Sequence, residues 1–180
     1  MKSVFTKKYM WAILAGMFTL LLPLLASTSV HAASSAEYSQ QEVYYNVVGL
    51  DSGKCLDVQG DSSLDGTPVI QYHCDGGENQ EWYAISANRN GAFYIVSRAS
   101  GKCLAVGGDT SSDQAPVMLE PCAFKGTEQW RRPSGAVSPL ISLHSNKCLD
   151  IPDDTNADVV PLQQYSCDNG RNQDWEFVLV

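Results

Sequence analysis

Histidine and positive charge are scarce in this sequence, and so are the signatures of catalysis and metal binding. Three histidines occur in 180 residues, and only His73 and His144 lie beyond residue 32. No two cysteines stand at Cys-x2–4-Cys spacing. Structural zinc sites need such pairs or clustered histidines, so zinc is excluded as the cysteines' purpose. There is no Gly-x-Ser-x-Gly elbow and no phosphate-cradling glycine loop. No pair of acids stands out for glycoside hydrolysis. The acidic stretch from Asp150 to Asp158 lacks the Asp-x-Asp-x-Asp-Gly pattern of a calcium loop and reads as solvated surface. These absences predict a protein that is not an enzyme and needs no metal or cofactor.

Long apolar runs are equally few. One extends from about Met10 to Leu25 behind Lys2, Lys7 and Lys8, and Val30-His31-Ala32 follows it. A basic front, an apolar stretch and a small-x-small end form a secretory signal, with cleavage expected after Ala32. The run falls short of the ~20 residues that span a bilayer, and none follows it, so no membrane insertion is expected. Residues 33–42 are small and polar and read as a flexible leader. The exported chain would carry nine basic residues against twenty acids, a net charge of −11. Such a surface repels nucleic acid and anionic membranes and favours neutral or cationic partners.

What the chain has is an internal repeat. The six cysteines form three pairs, Cys55/Cys74, Cys103/Cys122 and Cys148/Cys167, each 19 positions apart. Each first cysteine sits in Lys-Cys-Leu, and eight positions after each second cysteine comes Trp82, Trp130 or Trp175. Equal phasing assigns the tryptophans and the leucines to a core. In an exported chain such cysteines form disulfides. Six cysteines allow 15 connectivities, and pairing within each repeat treats all three alike and closes three equal loops. The repeats run over about 43–85, 91–133 and 134–180.

Helix signals are scarce, and Gly, Ser, Asp and Asn clusters separate short β-prone runs. Each repeat reads as four strands. They fall at Tyr44–Val48, Cys55–Val58, Val69–Cys74 and Gln80–Ile85; at Phe93–Ser97, Cys103–Val106, Val117–Cys122 and Gln129–Arg132; and at Leu140–Leu143, Cys148–Ile151, Val160–Tyr165 and Asp174–Val178. Twelve strands in three units predict an all-β closed architecture that protects sheet edges. A propeller is disfavoured, because propellers have four to eight blades.

Cys-Leu-Asp, then an aromatic two residues before the second cysteine, then Asn-Gln-x-Trp, resembles the ricin B-type lectin repeat. Cys55-Leu56-Asp57, Tyr72-His73-Cys74 and Asn79-Gln80-Glu81-Trp82 carry it in the first repeat, and Cys148-Leu149-Asp150, Tyr165-Ser166-Cys167 and Asn172-Gln173-Asp174-Trp175 in the third. The resemblance spans residues 43–180. It implies a β-trefoil with disulfides within repeats and up to one sugar pocket per repeat. It further implies galactose-type or xylan-like glycans as partners, and a separate enzyme or toxin chain as a possible companion.

A neutral sugar offers hydroxyls and a face of C–H bonds. A pocket for it needs a carboxylate to accept from neighbouring hydroxyls, an amide to donate and accept, and a ring for the C–H face. By the resemblance, Asp150 is the carboxylate, Tyr165 the ring, Asn172 a second hydroxyl ligand and Gln173 the residue orienting the aspartate. Gln163, two positions before Tyr165, points to the same side of a strand. Asp57, Tyr72, Asn79 and Gln80 repeat the set in the first unit. There Ile70 replaces the glutamine, Gln71 points to the other face, and His73 reads as surface with an assisting role at the rim as the alternative. The second repeat has Ala105, Met118, Glu120, Thr127 and Glu128 at the five pocket positions and keeps only the scaffold. The expectation is a secreted lectin with two sites, the third-repeat site stronger by Gln163's extra contact. The alternatives are a protein-interaction or cell-binding trefoil, or a hydrolase inhibitor.

Overall fold

The computed structural model describes residues 42–87 and 91–180. The expected signal segment and leader residues 33–41 lie outside the described residues. Among the described residues there are fourteen strands and six single turns of 3-10 helix, and no helix is long and apolar enough to cross a membrane. The first repeat holds β1 (Tyr45–Gly49), β2 (Cys55–Val58), β3 (Val69–Tyr72) and β4 (Glu81–Ser86). The second holds β5 (Phe93–Ser97), β6 (Cys103–Val106), β7 (Ala115–Glu120) and β8 (Gln129–Arg131). The third holds β9 (Val137–Pro139), β10 (Ile141–Ser142), β11 (Cys148–Asp150), β12 (Val160–Pro161), β13 (Gln163–Tyr165) and β14 (Asp174–Leu179).

Twelve expected strands become fourteen because two strands of the third repeat change partner midway. β9 pairs with β14 and β10 with β8, on either side of Leu140. β12 pairs with β3 and β13 with β7, on either side of Leu162. Leu162 donates its N–H to the Val69 carbonyl at 2.9 Å and accepts from the Val117 N–H at 3.0 Å. It therefore joins the other two repeats at one residue.

The architecture is a β-trefoil. β1, β4, β5, β8, the β9/β10 strand and β14 pair in a closed ring, with Tyr45↔Leu179 to Gly49↔Trp175 as the closing ladder. The hairpins β2–β3, β6–β7 and β11–β12/β13 gather at one end of the ring through their own cross-pairings. Trp82, Trp130 and Trp175 are fully buried in the shared core. Each donates its indole N–H to the carbonyl of the leucine after its repeat's first cysteine, Leu56, Leu104 or Leu149, at 3.0, 2.9 and 3.1 Å. A buried indole needs such a partner, and the same bond made three times explains why Leu and Trp are phased together.

The disulfides are Cys55–Cys74, Cys103–Cys122 and Cys148–Cys167. Each ties a hairpin to the turn that follows it, and a loop of this length contributes about 3 kcal/mol by restricting the unfolded chain. The lysine of Lys-Cys-Leu also has a role. Lys54 pairs with Asp158 and Lys147 with Asp113, both at 2.7 Å, and Lys102 with Asp65. Each pair crosses from one repeat to the previous one around the ring. Gln71 and Gln164, on the face opposite the pocket side, clamp the same neighbours: Gln71 donates to the Thr155 and Ala157 carbonyls, Gln164 to those of Thr110 and Ser112.

Candidate functional site

Strand alternation creates the first-repeat site. Along β2, Leu56 and Val58 enter the core, so Cys55 and Asp57 face away from it. Across the hairpin, Cys55 opposes Tyr72 and Asp57 opposes Ile70. The turn Glu78–Gln80 brings two amides to the aspartate. Asn79 donates to Asp57 Oδ2 at 2.9 Å and Gln80 at 2.8 Å. Gln80 also donates to the His73 carbonyl and accepts from the Asp75 N–H, which fixes its orientation. Asp57 is 3% exposed. Its other oxygen, Oδ1, has no protein partner among the described residues, and the residue lines an open cleft of about 360 Å³.

Tyr72 and Asn79 line that cleft, and Gln80 stands behind Asp57 as its holder. Residues the sequence reading did not find there are Gln59, Gly60, Asp61, Asp75 and, from the third repeat, Val159. Val159 is half exposed and has φ of 62°, a conformation a β-branched residue rarely adopts. The pseudo-equivalent Gly66 and Gln114 also have positive φ, so the turn imposes it. His73 is outside the cleft lining. Its backbone and ring both bond to Asp158, at 3.0 and 3.2 Å, beside Lys54.

The third repeat builds the same aspartate cradle. Asn172 donates to Asp150 Oδ2 at 3.0 Å and Gln173 at 2.9 Å, and Asp150 is 3% exposed. Gln163 and Tyr165 share one side of β13, with Gln163 opposite Asp150. Gln163, however, donates to Asp150 Oδ1 at 2.7 Å. A carboxylate has about four lone-pair sites. Three are taken in Asp150 and two in Asp57. Gln163, expected to add a sugar contact, gives one of its two amide N–H donors to the aspartate.

The Asp57 carboxyl is pushed up to about 6, chiefly by burial, with the bond from Gln80 opposing, Asp75 and Asp61 adding to the rise and the bond from Asn79 lowering it. Asp150 is also raised by burial, opposed by its bonds from Gln163 and Gln173, with Asp168 and Asp154 adding to the rise.

The second repeat shows why its pocket residues changed together. Ala105 is buried, and Met118 packs against Gly107, the first residue of the following turn. Glu128, at the holder's position, is 1% exposed and accepts from the Ala123 and Lys125 N–H groups at 3.1 and 3.2 Å. The glutamine's acceptor role toward the residue after the cysteine survives. Its donor role, toward an aspartate that is absent, does not.

Gly77 and Gly170 leave room for the asparagine two residues on. A Cβ on Gly77 would lie 2.3 Å from Asn79 Oδ1, and one on Gly170 2.4 Å from Asn172 Oδ1. The second repeat, with Thr127 for the asparagine, has Lys125 at this place. A signal was present: glycine precedes the asparagine by two only in the two repeats that have the asparagine. Gly77 has an ordinary φ of −70°, so Gly77→Ala should leave thermal stability nearly unchanged while displacing Asn79. Loss of one hydrogen bond to a neutral ligand, ~0.5–1.5 kcal/mol, predicts roughly threefold to tenfold weaker binding at this cleft. Equal binding with a displaced Asn79, seen by side-chain amide NMR, would remove Asn79 from the site.

Known proteins share this fold. Residues 43–176 match the family model of the ricin-type beta-trefoil lectin domain. ThreeFoil, a designed threefold-symmetric protein, is 37% identical, with a TM-score of 0.73 over 75% of this chain and 97% of its own. An exo-β-1,3-galactanase from Clostridium thermocellum is 27% identical with a TM-score of 0.75; 80% of this chain aligns with 32% of the galactanase. A probable lipoprotein, EnvE, of Salmonella typhimurium is 52% identical over 29 residues, 16% of this chain and 17% of that protein.

Proposed function

The chain belongs to the ricin-type β-trefoil lectin family, and on that premise we propose that it is a secreted, non-catalytic carbohydrate-binding protein. Its principal site is the first-repeat cleft and its secondary site the third-repeat aspartate cradle. One observation carries this reading. Asp57 is buried, held through one oxygen by two amides, and keeps its other oxygen free behind a cleft walled by Tyr72. Burying a carboxylate costs stability unless something compensates, and two sugar hydroxyls on Oδ1 would compensate here. Counting free lone pairs on the two aspartates favours the first site, where the sequence leads us to expect the third to be the stronger. Asp57 can accept from two neighbouring hydroxyls; Asp150, holding Gln163, can accept from one.

Galactose-containing chains are the favoured partners, supported by the likeness to part of a galactanase; xylan-type chains are the second choice. Residues 1–32 would direct export, which suits the three disulfides. The rival is a trefoil that docks a separate toxin or enzyme chain. Two complete Asp-Asn-Gln cradles favour sugar, since a protein-binding surface has no need of them. A glycan array with purified protein tests this: galactose- or xylose-containing glycans should be retained, and an empty array with retention of a protein chain would support the rival.

Acid should weaken the first site before it harms the fold. Only ionised Asp57 can accept from two hydroxyls, so affinity should fall as pH drops through about 6, by up to tenfold per unit. Stability responds in the opposite sense. The folded-state pKa exceeds the unfolded one, so Asp57 contributes stability below about pH 4 that is lost as pH rises through about 6. Titrating a monosaccharide between pH 4 and 7 checks this, and pH-independent binding would show that the Asp57 carboxylate is not the acceptor.

A further inference from the structure

We propose that the first-repeat cleft selects a hexosamine with a free ammonium group over the matching neutral and acidic sugars. The inference rests on the sugar-binding reading of that cleft and names the class of sugar. Asp57, Asp61 and Asp75 all line the cleft, and no lysine, arginine or histidine does. The nearby basic side chains are engaged elsewhere. Lys54 and His73 are paired with Asp158, and Arg98 with Glu81 and Glu78. The buried Asp57 still has one oxygen without a partner, so the cleft offers a ligand both a hydrogen-bond acceptor and a surplus of negative charge.

The bland role of these acids is to shape turns. Asp75 Oδ1 accepts from the Gly77 N–H at 2.9 Å, and Asp61 has φ of 52° in its turn. Neither role removes the charge. Asp61 and Asp75 both disfavour ionisation of Asp57, so their fields reach the oxygens where a ligand would sit. Among the described residues no group of three or more His, Cys, Asp or Glu side chains could hold a metal ion. The negative charge is spread along the cleft, the arrangement that suits a sugar-borne ammonium.

The repeats supply an internal control. Asp57, Asp61 and Asp75 recur as Asp150, Asp154 and Asp168 in the third repeat, but as Ala105, Asp109 and Ala123 in the second. The triad is whole in both repeats that hold an aspartate cradle and broken in the one that does not. The third repeat places Arg171 where the first has Glu78, and that arginine lies 3.7 Å from Asp51.

Titration by NMR at neutral pH with galactosamine, galactose, N-acetylgalactosamine and galacturonate, and with the corresponding gluco sugars, tests the proposal. The amino sugar should bind about threefold to tenfold tighter than its neutral counterpart, and the uronate weaker by a similar factor. Raising salt from about 50 to 200 mM should shrink that ratio while neutral-sugar binding changes little. Asp61→Asn with Asp75→Asn should bring the ratio toward one; asparagine tolerates the turn at 61 and keeps an acceptor at 75. Neutral sugar bound through Asp57 with equal or weaker binding of the amine would overturn the inference and leave the lectin reading standing. If no sugar of either set perturbs the cleft, both fall.

Discussion

A variant carrying both Asp57→Ala and Asp150→Ala should bind no sugar and remain folded. Each aspartate is the acceptor on which its site converges, through Asn79 and Gln80 in one case and Asn172, Gln173 and Gln163 in the other. Hydrogen bonds to a charged group are worth ~1.5–3 kcal/mol each. Two such bonds lost at the first cleft predict a drop of about a hundredfold or more. The single variants should differ: Asp57→Ala removes the tighter class of binding and Asp150→Ala the weaker. The fold should survive, because the buried core tryptophans and the disulfides are left in place by both changes. Removing a buried carboxylate also relieves a desolvation cost, which the raised pKa of Asp57 registers. Full binding by the folded double variant would move function away from both cradles and favour a protein partner.

The fold was legible in the sequence because its determinants are repeated. Cysteine, leucine and tryptophan at matched positions each make the same contact three times, and noise does not triplicate. The two extra strand breaks were not legible. Leu140 and Leu162 look like any strand residue, and only the packing of three repeats shows where a strand changes partner. The lysine–aspartate pairs lie between these cases. Lys54, Lys102 and Lys147 are in the motif, and Asp65, Asp113 and Asp158 share its spacing of 48 and 45. The signal was complete, but an exposed lysine and a loop aspartate have no evident reason to meet until the ring is closed.

At the candidate site, residue types and the faces they occupy were readable, while partners were not. Alternation put Gln163 on the side of Tyr165 and sent Gln71 to the other side, and both are so placed. Alternation does not say whether the amide of Gln163 reaches outward or back to Asp150. Val159 enters the first cleft from another repeat, which only tertiary structure supplies. The second repeat is expected from sequence not to bind, and the structure offers a physical reason for that expectation. Glu128 has no N–H to hold an aspartate, and a carboxylate at 105 would meet another carboxylate nearby, two buried charges of one sign.

Trp130→Ala should be the most destabilising single change in a repeat without a site. The side chain is fully buried, and its indole N–H satisfies the Leu104 carbonyl at 2.9 Å. Truncating a buried tryptophan costs ~3–5 kcal/mol, and the orphaned carbonyl adds ~1–3 kcal/mol. Against a total of ~5–15 kcal/mol for a domain, that leaves the protein near its unfolding midpoint. Trp130→Phe keeps most of the burial and loses only the donor, so it should fall between the variant and the native protein. Because the second repeat holds no aspartate cradle, the fraction of Trp130→Ala that remains folded should bind sugar with native affinity. Denaturant unfolding paired with titration of the folded fraction separates the two quantities. A loss of less than about 1 kcal/mol would mean the core does not depend on this indole. Weakened affinity in the folded fraction would mean that the second repeat shapes the sites of its neighbours, as Val159 of the third repeat already does for the first.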